Sequence, residues 1–326
     1  MKIGVLDHGL LVDQQTHHQT YQNTIELAKF ADDINLDSFW VSEQHGVHSL
    51  IISYPLLLMN ELAHQTKNIK IGCGGIMLSN YQPYSIIEQI NTLNILQPKR
   101  FIYGFGSNPG TDNVKSVFES GRHSLNYYSK LLKITEYYNH DSIQDIKPYN
   151  NQKNEFYLLI TGVESAIFAA KNNLAIIYGW FLLPNKTIAK QVIETYIEEY
   201  QRIHNKKPVN IGIALNVVSC KNKTLNDELA SQIALFRLGK NDYNEYEHFP
   251  TYENVKQREF DDQEEKKQFE RNKRNIFLLN SISDVEKINK LCEELHIDNL
   301  IISPLAEKQE DKKRALTFIK NYFNKE

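Results

Sequence analysis

Glu43, Gln44, His45 and His48 crowd into one short stretch, SEQHGVH, directly after a β-like run. A carboxylate beside imidazoles is a proton-handling arrangement: an imidazole moves the proton while the acid holds its orientation. The same residues also occur as ordinary packed or surface groups, so both readings stand at this point. A second cluster is ITGVES, where Thr161, Gly162 and Ser165 fall between a strand end and a helix start. Free N–H groups and two hydroxyls at that position suit a phosphate, although the same residue types also cap helices. Arg122, in ESGRHSLNYY, is either a surface cation or the counter-charge for such a phosphate. The third feature is IKIGCGGIMLSN, with Gly72, Gly74 and Gly75 inside an apolar run. Glycine weakens a strand interior, so three of them point either to a sharp bend or to a flat ligand lying against bare backbone. Cys73 reads as a packing residue, Glu88 as a partly buried carboxylate with a structural partner, and Trp180 as a rim or core aromatic. The chain carries no HExxH, CxxC or P-loop, so zinc-protease, redox-pair and ATPase chemistry have no support, and no metal is expected.

These groups must be placed by the elements around them. Strands are predicted at Lys2–Asp7, Ser38–Glu43, Ile69–Leu78, Arg100–Ser107, Phe156–Ile160, Leu174–Phe181, Val209–Cys220 and Asn299–Leu305. Between them the apolar spacing predicts helices at Gln19–Ile34, Pro55–Gln65, Pro83–Leu96, Val114–Tyr138, Glu164–Asn172, Thr187–His204, Leu225–Leu238 and Ser283–Leu295, with a last helix ending near Phe323. Alternation of this kind means a parallel sheet, because parallel strands need helical crossovers. Eight β/α units favour a closed (β/α)8 TIM barrel over an open doubly wound sheet. In a barrel the candidate residues all fall at the C-terminal strand ends, where TIM-barrel sites lie. Residues 1–326 read as one such domain. The polar segment Gly239–Arg274 interrupts the rhythm, as a solvated loop with an exposed helix or as a lid presenting Tyr243, Tyr246, Phe249 and Tyr252.

Composition narrows the partners. With 326 residues, 41% hydrophobic, 24% charged and a net charge of −3, the chain has an ordinary globular balance, which gives no electrostatic reason to expect nucleic acid. No apolar run approaches the roughly 20 residues needed to cross a bilayer. Three widely spaced cysteines and the absence of a leader pattern fit a cytoplasmic protein.

Taken together, several stretches resemble the bacterial luciferase-like flavin monooxygenases. FWVSEQHG is similar to the family's W-x-x-E-H-H. IGCGGIMLSNYQPYSIIEQINTLNILQPKRFIYGFG is similar to its glycine-or-alanine strand and the L-x-x-L-S-x-G-R-F-x-x-G stretch that follows. LLITGVESAIFAAKNNLAII and ELHIDNLII are later matches. The resemblance implies a TIM barrel, a homodimer, and reduced FMN delivered by a partner reductase, with the deazaflavin F420 as an alternative cofactor. It implies two-component monooxygenation of a small organic substrate. Hydride delivery to an alkene, as in a modified peptide, and a non-catalytic flavin-binding relative are the alternatives. It places a non-proline cis peptide at Gly74 and Gly75, against the flavin, and the phosphate at Thr161, Gly162, Ser165 and Arg122. His45 and His48 then handle protons, with Glu43 orienting them. Two positions depart from the pattern: Gln44 replaces a histidine of E-H-H, and Ser107 stands where a basic residue often follows the fourth strand.

Overall fold

Runs such as KIGVLD and IGIALNVV are apolar at nearly every position, as strands buried on both faces must be. In the computed structural model, which describes residues 1–119, 126–139 and 146–323, they form a closed parallel barrel. Its strands are β1 (Lys2–Asp7), β2 (Ser38–Val41), β3 (Lys70–Met77), β4 (Phe101–Gly106), β5 (Glu155–Ile160), β6 (Ala175–Gly179), β7 (Ile211–Val218) and β9 (Asn299–Pro304). They pair in chain order, and β9 closes the ring between β7 and β1. The expected eight-stranded barrel is therefore the observed one. One strand escaped the sequence reading: β8 (Phe277–Leu278), too short to show alternation, which pairs with Val217 and Val218 at the end of β7.

Helices surround the ring: α1 (His17–Asp33), α2 (Pro55–Gln65), α3 (Pro83–Leu96), α4 (Asp112–Glu119), α5 (Tyr127–Asn139), α6 (Val163–Lys171), α7 (Lys186–His204), α8 (Lys223–Phe236), α9 (Tyr252–Gln257), α10 (Gln263–Arg274), α11 (Ile282–Glu294) and α12 (Gln309–Phe323). The single helix expected over Val114–Tyr138 is not observed. Asn126 lies outside any helix and its side chain accepts from the Ser129 N–H at 2.8 Å, capping α5 as a separate start. α1 begins two residues earlier than its apolar pattern, because Thr16 and Gln19 form a reciprocal capping box.

The core has two layers. Outward-facing strand residues such as Val5, Phe39, Ile71 and Ile213 pack under the helices. The barrel interior is filled by Leu6, Trp40, Ile102, Tyr157, Ile177, Ala214 and Ile301. Trp40 is its largest member, donating its indole N–H to Ser38 Oγ at 2.8 Å and meeting Tyr157 edge-on. That indole explains the first glycine of IKIGCGGIMLSN, since a Cβ on Gly72 would lie 2.6 Å from two of its ring carbons. Gly72→Ala is accordingly expected to cost about 1–3 kcal/mol, as overpacked cores do. Urea denaturation checks this, and an unchanged midpoint would contradict it.

Residues 239–274 run through a short 3-10 turn at Lys240–Tyr243, then α9 and α10. Phe249 is buried beside Leu10, Leu50, Val218 and Leu305, and its N–H donates to Leu11 O at 2.9 Å. Tyr243 leans on Phe236 of α8, and Lys256 lies over the Tyr252 ring. Tyr246 packs with Phe269 of α10. Among the described residues no helix is long and apolar enough to cross a membrane.

Candidate functional site

A cavity of about 180 Å³ opens at the C-terminal ends of the strands. Its floor is the top of the barrel interior: Leu6, Trp40, Ile177, Ala214 and Ile301. One wall carries Gly74, Met77, Gly106, Ser107 and Asn108 from the ends of β3 and β4. Another carries Leu159, Ile160 and Thr161, with Gly179 at the end of β6 and Phe181 and Leu182 after it. The site is thus an apolar slot with a few hydroxyl and backbone groups on one side, the usual make-up of a small-molecule pocket.

The glycines divide between packing and lining. Gly74 borders the cavity and has ordinary space for a Cβ, 3.5 Å from Leu6 and Trp40. Gly75 instead faces the Gly104 carbonyl, which a Cβ would meet at 2.8 Å, where the β3–β4 register shifts. The Gly74–Gly75 peptide is cis. The triple glycine therefore serves Trp40, the neighbouring backbone and the cavity at successive positions.

Three of the phosphate candidates, Thr161, Gly162 and Ser165, lie at the start of α6, the first of them on the cavity. Thr161 lines the cavity, and Gly162 is the N-cap of α6 with no side-chain cap of its own. Nothing lies within 4 Å of where a Gly162 Cβ would be, so the space over the helix start is open. Ser165 Oγ donates to Gly162 O at 2.9 Å. Ser107 is exposed and its carbonyl accepts from Ser79 Oγ at 2.7 Å. Arg122 lies outside the described residues.

The SEQHGVH groups are placed differently. Glu43 is buried, and its Oε1 accepts from His45 Nε2 at 2.7 Å and from Tyr81 Oη at 2.8 Å. Its Oε2 accepts from the Met77 N–H at 3.1 Å. The carboxylate thus ties the end of β2 to the end of β3. Burial, and then Glu43 itself, raise the Tyr81 phenol and the Cys73 thiol far above their ordinary values. His45 is buried edge-on to Phe118 and Tyr54, on a separate surface hollow with Val114 and Val117 rather than on the cavity. His48 is half exposed, with Nδ1 3.1 Å from Glu247 Oε2 and its backbone N–H on Asn244 Oδ1. Neither histidine is brought to the cavity.

One imidazole that the sequence reading passed over packs against the cavity lining. His8 follows β1, is buried, meets Phe181 edge-on at 6.2 Å and lies 3.1 Å from Ser303 Oγ through Nε2. Burial is the main cause that lowers its pKa to about 4, with Lys312 adding to it against the pull of Asp7, so the ring is neutral at pH 7. Behind it, on the outward side of β1, Asp7 and Lys312 form a buried ion pair at 2.9 Å.

Comparison with known proteins agrees with this architecture. Residues 1–127 match the family model described as luciferase-like monooxygenase. An N-acetyl-S-alkylcysteine monooxygenase of Bacillus subtilis is 28% identical over 59% of this chain, and the match spans 60% of that relative's length. The crystal structure of apo-MsnO8 superposes with a TM-score of 0.84 at 21% identity, covering 99% of this chain and 98% of that one. Two further structures share the fold. The oxygenating constituent of 3,6-diketocamphane monooxygenase from Pseudomonas putida, solved with FMN, has a TM-score of 0.69 at 16% identity over 98% of this chain and 96% of its own. An F420-dependent secondary alcohol dehydrogenase, solved with an F420–acetone adduct, has 0.70 at 12% identity over 98% and 97%. In sequence over its first 127 residues the chain is thus similar to the luciferase-like monooxygenases, and over nearly its whole length it shares the barrel fold of these solved structures.

Proposed function

We propose that the chain is a flavin-dependent oxidoreductase, working as the oxygenase of a two-component pair on a small organic substrate. The observation that carries this reading is the cavity itself: an apolar slot beside Gly74 and Gly106, with Ser107, Thr161 and the open start of α6 at its edge. An apolar slot bordered by bare glycine backbone suits a planar ring, and hydroxyls with free helix N–H groups suit a phosphate. Reduced FMN, supplied by a partner reductase, would bring the redox chemistry, placing one oxygen atom of O2 on the substrate and the other in water. The protein's share is binding, orientation and exclusion of water.

In this reading Gly74, Ser107, Thr161, Gly162 and Ser165 hold the cofactor, and Arg122 supplies the phosphate counter-charge. Gly75 supports that wall through its packing on Gly104. Glu43 and His45 act as positioning residues that fix the ends of β2 and β3. His48 is then a surface group. The domain is a single barrel of residues 1–326 with 239–274 as its variable part, and the protein is a homodimer.

Titration with FMN, oxidised and then reduced under anaerobic conditions, tests the assignment. Reduced FMN is expected to bind with one site per chain. Ser107→Trp, a change at an exposed position, is expected to weaken binding at least about 10-fold without changing the melting temperature, because the indole takes up cavity space. F420 binding in place of FMN would redirect the reading to hydride transfer, and binding of neither flavin would overturn it.

A further inference from the structure

Four inward-facing positions stand one step above the cavity floor, each two residues beyond a floor residue on the same strand line: His8 after Leu6, Ser42 after Trp40, Asn216 after Ala214 and Ser303 after Ile301. The ladder keeps them together: Asn216 pairs with Ser303, and the Ser42 N–H donates to Asp7 O as the β1–β2 pairing runs out. They form a polar layer between two apolar ones. Below lies the Leu6–Trp40 floor, and above lies the cluster in which Phe249 meets Leu10, Leu50 and Leu305.

Three atoms of this layer are buried without a hydrogen-bond partner: His8 Nδ1, Ser42 Oγ and Asn216 Oδ1. The residues themselves are 8%, 2% and 3% exposed. Orphaned buried polar atoms are rare and each costs about 1–3 kcal/mol; the three lie behind the cavity lining, where His8 packs on Phe181, so a ligand that displaces the Phe181 ring would satisfy them.

The chemistry of the three atoms defines that ligand. Asn216 Oδ1 accepts, Ser42 Oγ does either, and the neutral His8 ring offers Nδ1 as donor or acceptor according to how Nε2 meets Ser303. Among the described residues the charges next to the layer are Asp7 and Lys312, which satisfy each other on the outer side of β1. A carboxylate or ammonium placed here would be desolvated with no counter-ion, whereas an amide offers both a carbonyl and an N–H. We propose that His8, Ser42 and Asn216 form a substrate subsite that takes an uncharged polar group, best an amide, at the end of an otherwise apolar molecule.

The proposal rests on the cavity being the reaction site, and its test reads the subsite separately from the flavin. Hexanamide, hexanoate and hexylamine are titrated calorimetrically into the full chain at pH 7.5, and FMN is titrated in parallel. Hexanamide is expected to bind at least about 10-fold more tightly than either charged analogue. Ser42→Ala and His8→Leu should each reduce that preference at least about 5-fold while leaving FMN affinity unchanged. Ser42→Ala removes one atom and keeps the test alive should the His8 variant fail to fold. No hexanamide binding, equal binding of hexanoate or hexylamine, or variants that weaken FMN and spare hexanamide would each overturn the proposal. A protein that prefers hexanamide but binds no flavin would instead remove the flavin reading and leave the subsite standing.

Discussion

Lys312→Met is expected to lower the stability of the protein by about 3–5 kcal/mol, the usual result of stripping the partner from a buried charge. Asp7, at the end of β1, is 3% exposed and Lys312, on α12, is 4% exposed, and they meet at 2.9 Å. Thr24 of α1 adds a hydrogen bond to Asp7 at 2.6 Å. Burial alone would push the Asp7 carboxyl up, yet Lys312 and Thr24 together hold it below its ordinary value, so it is charged in the folded state. Removing the ammonium leaves that carboxylate desolvated and unpaired. The pair also joins the last helix to the first strand, on the opposite side of the backbone from His8, so its loss loosens the side of the barrel that carries the polar layer. Urea denaturation of the single variant and of Asp7→Leu/Lys312→Leu measures the effect. The double variant should recover much of the loss, because replacing both charges with apolar groups removes the uncompensated one. A single-variant loss below about 1 kcal/mol would contradict the account.

The second large effect is a pH dependence owed to His8. An ordinary histidine titrates near 6.5, and this one titrates at about 4 in the folded protein. Between those values the unfolded chain binds a proton that the folded chain refuses, so stability must fall as the pH drops from 6.5 to 4 and level off below. The shift corresponds to a total of about 3 kcal/mol. Burial of the imidazole is the leading cause. Asp7 opposes it and Lys312 reinforces it. Stability of the wild type measured by urea at several pH values should therefore diverge from that of His8→Leu across this window. Parallel curves would show that His8 is solvated or already protonated.

Much of the barrel was legible because fully buried strands announce themselves as apolar runs between turn residues. All eight barrel strands fall within about two residues of their expected bounds. What was not legible depends on partners far away in sequence. Gly72 reads only as a costly strand glycine until Trp40, on the neighbouring strand, is seen filling its space. The SEQHGVH histidines share a strand end with the site, but the last β1–β2 ladder bond is made by the Ser42 N–H, and beyond Ser42 alternation no longer says where a side chain points. His45 turns to Glu43 and His48 to Glu247. His8, in LDHG, carries no motif and reads as the plain end of a strand. Its signal was positional: the residue two beyond Leu6 on a strand whose inward face leads up to the barrel mouth.

The most direct test of the central claim is rapid mixing. Reduced FMN, anaerobically pre-mixed with excess protein, is mixed with oxygenated buffer and followed by absorbance, with free reduced FMN as reference. A cavity that holds the reduced cofactor and keeps water from it predicts reoxidation on a time course distinct from that of the free flavin, and a return to the free time course in Ser107→Trp. A trace with wild-type protein that superimposes on that of free FMN would contradict the account.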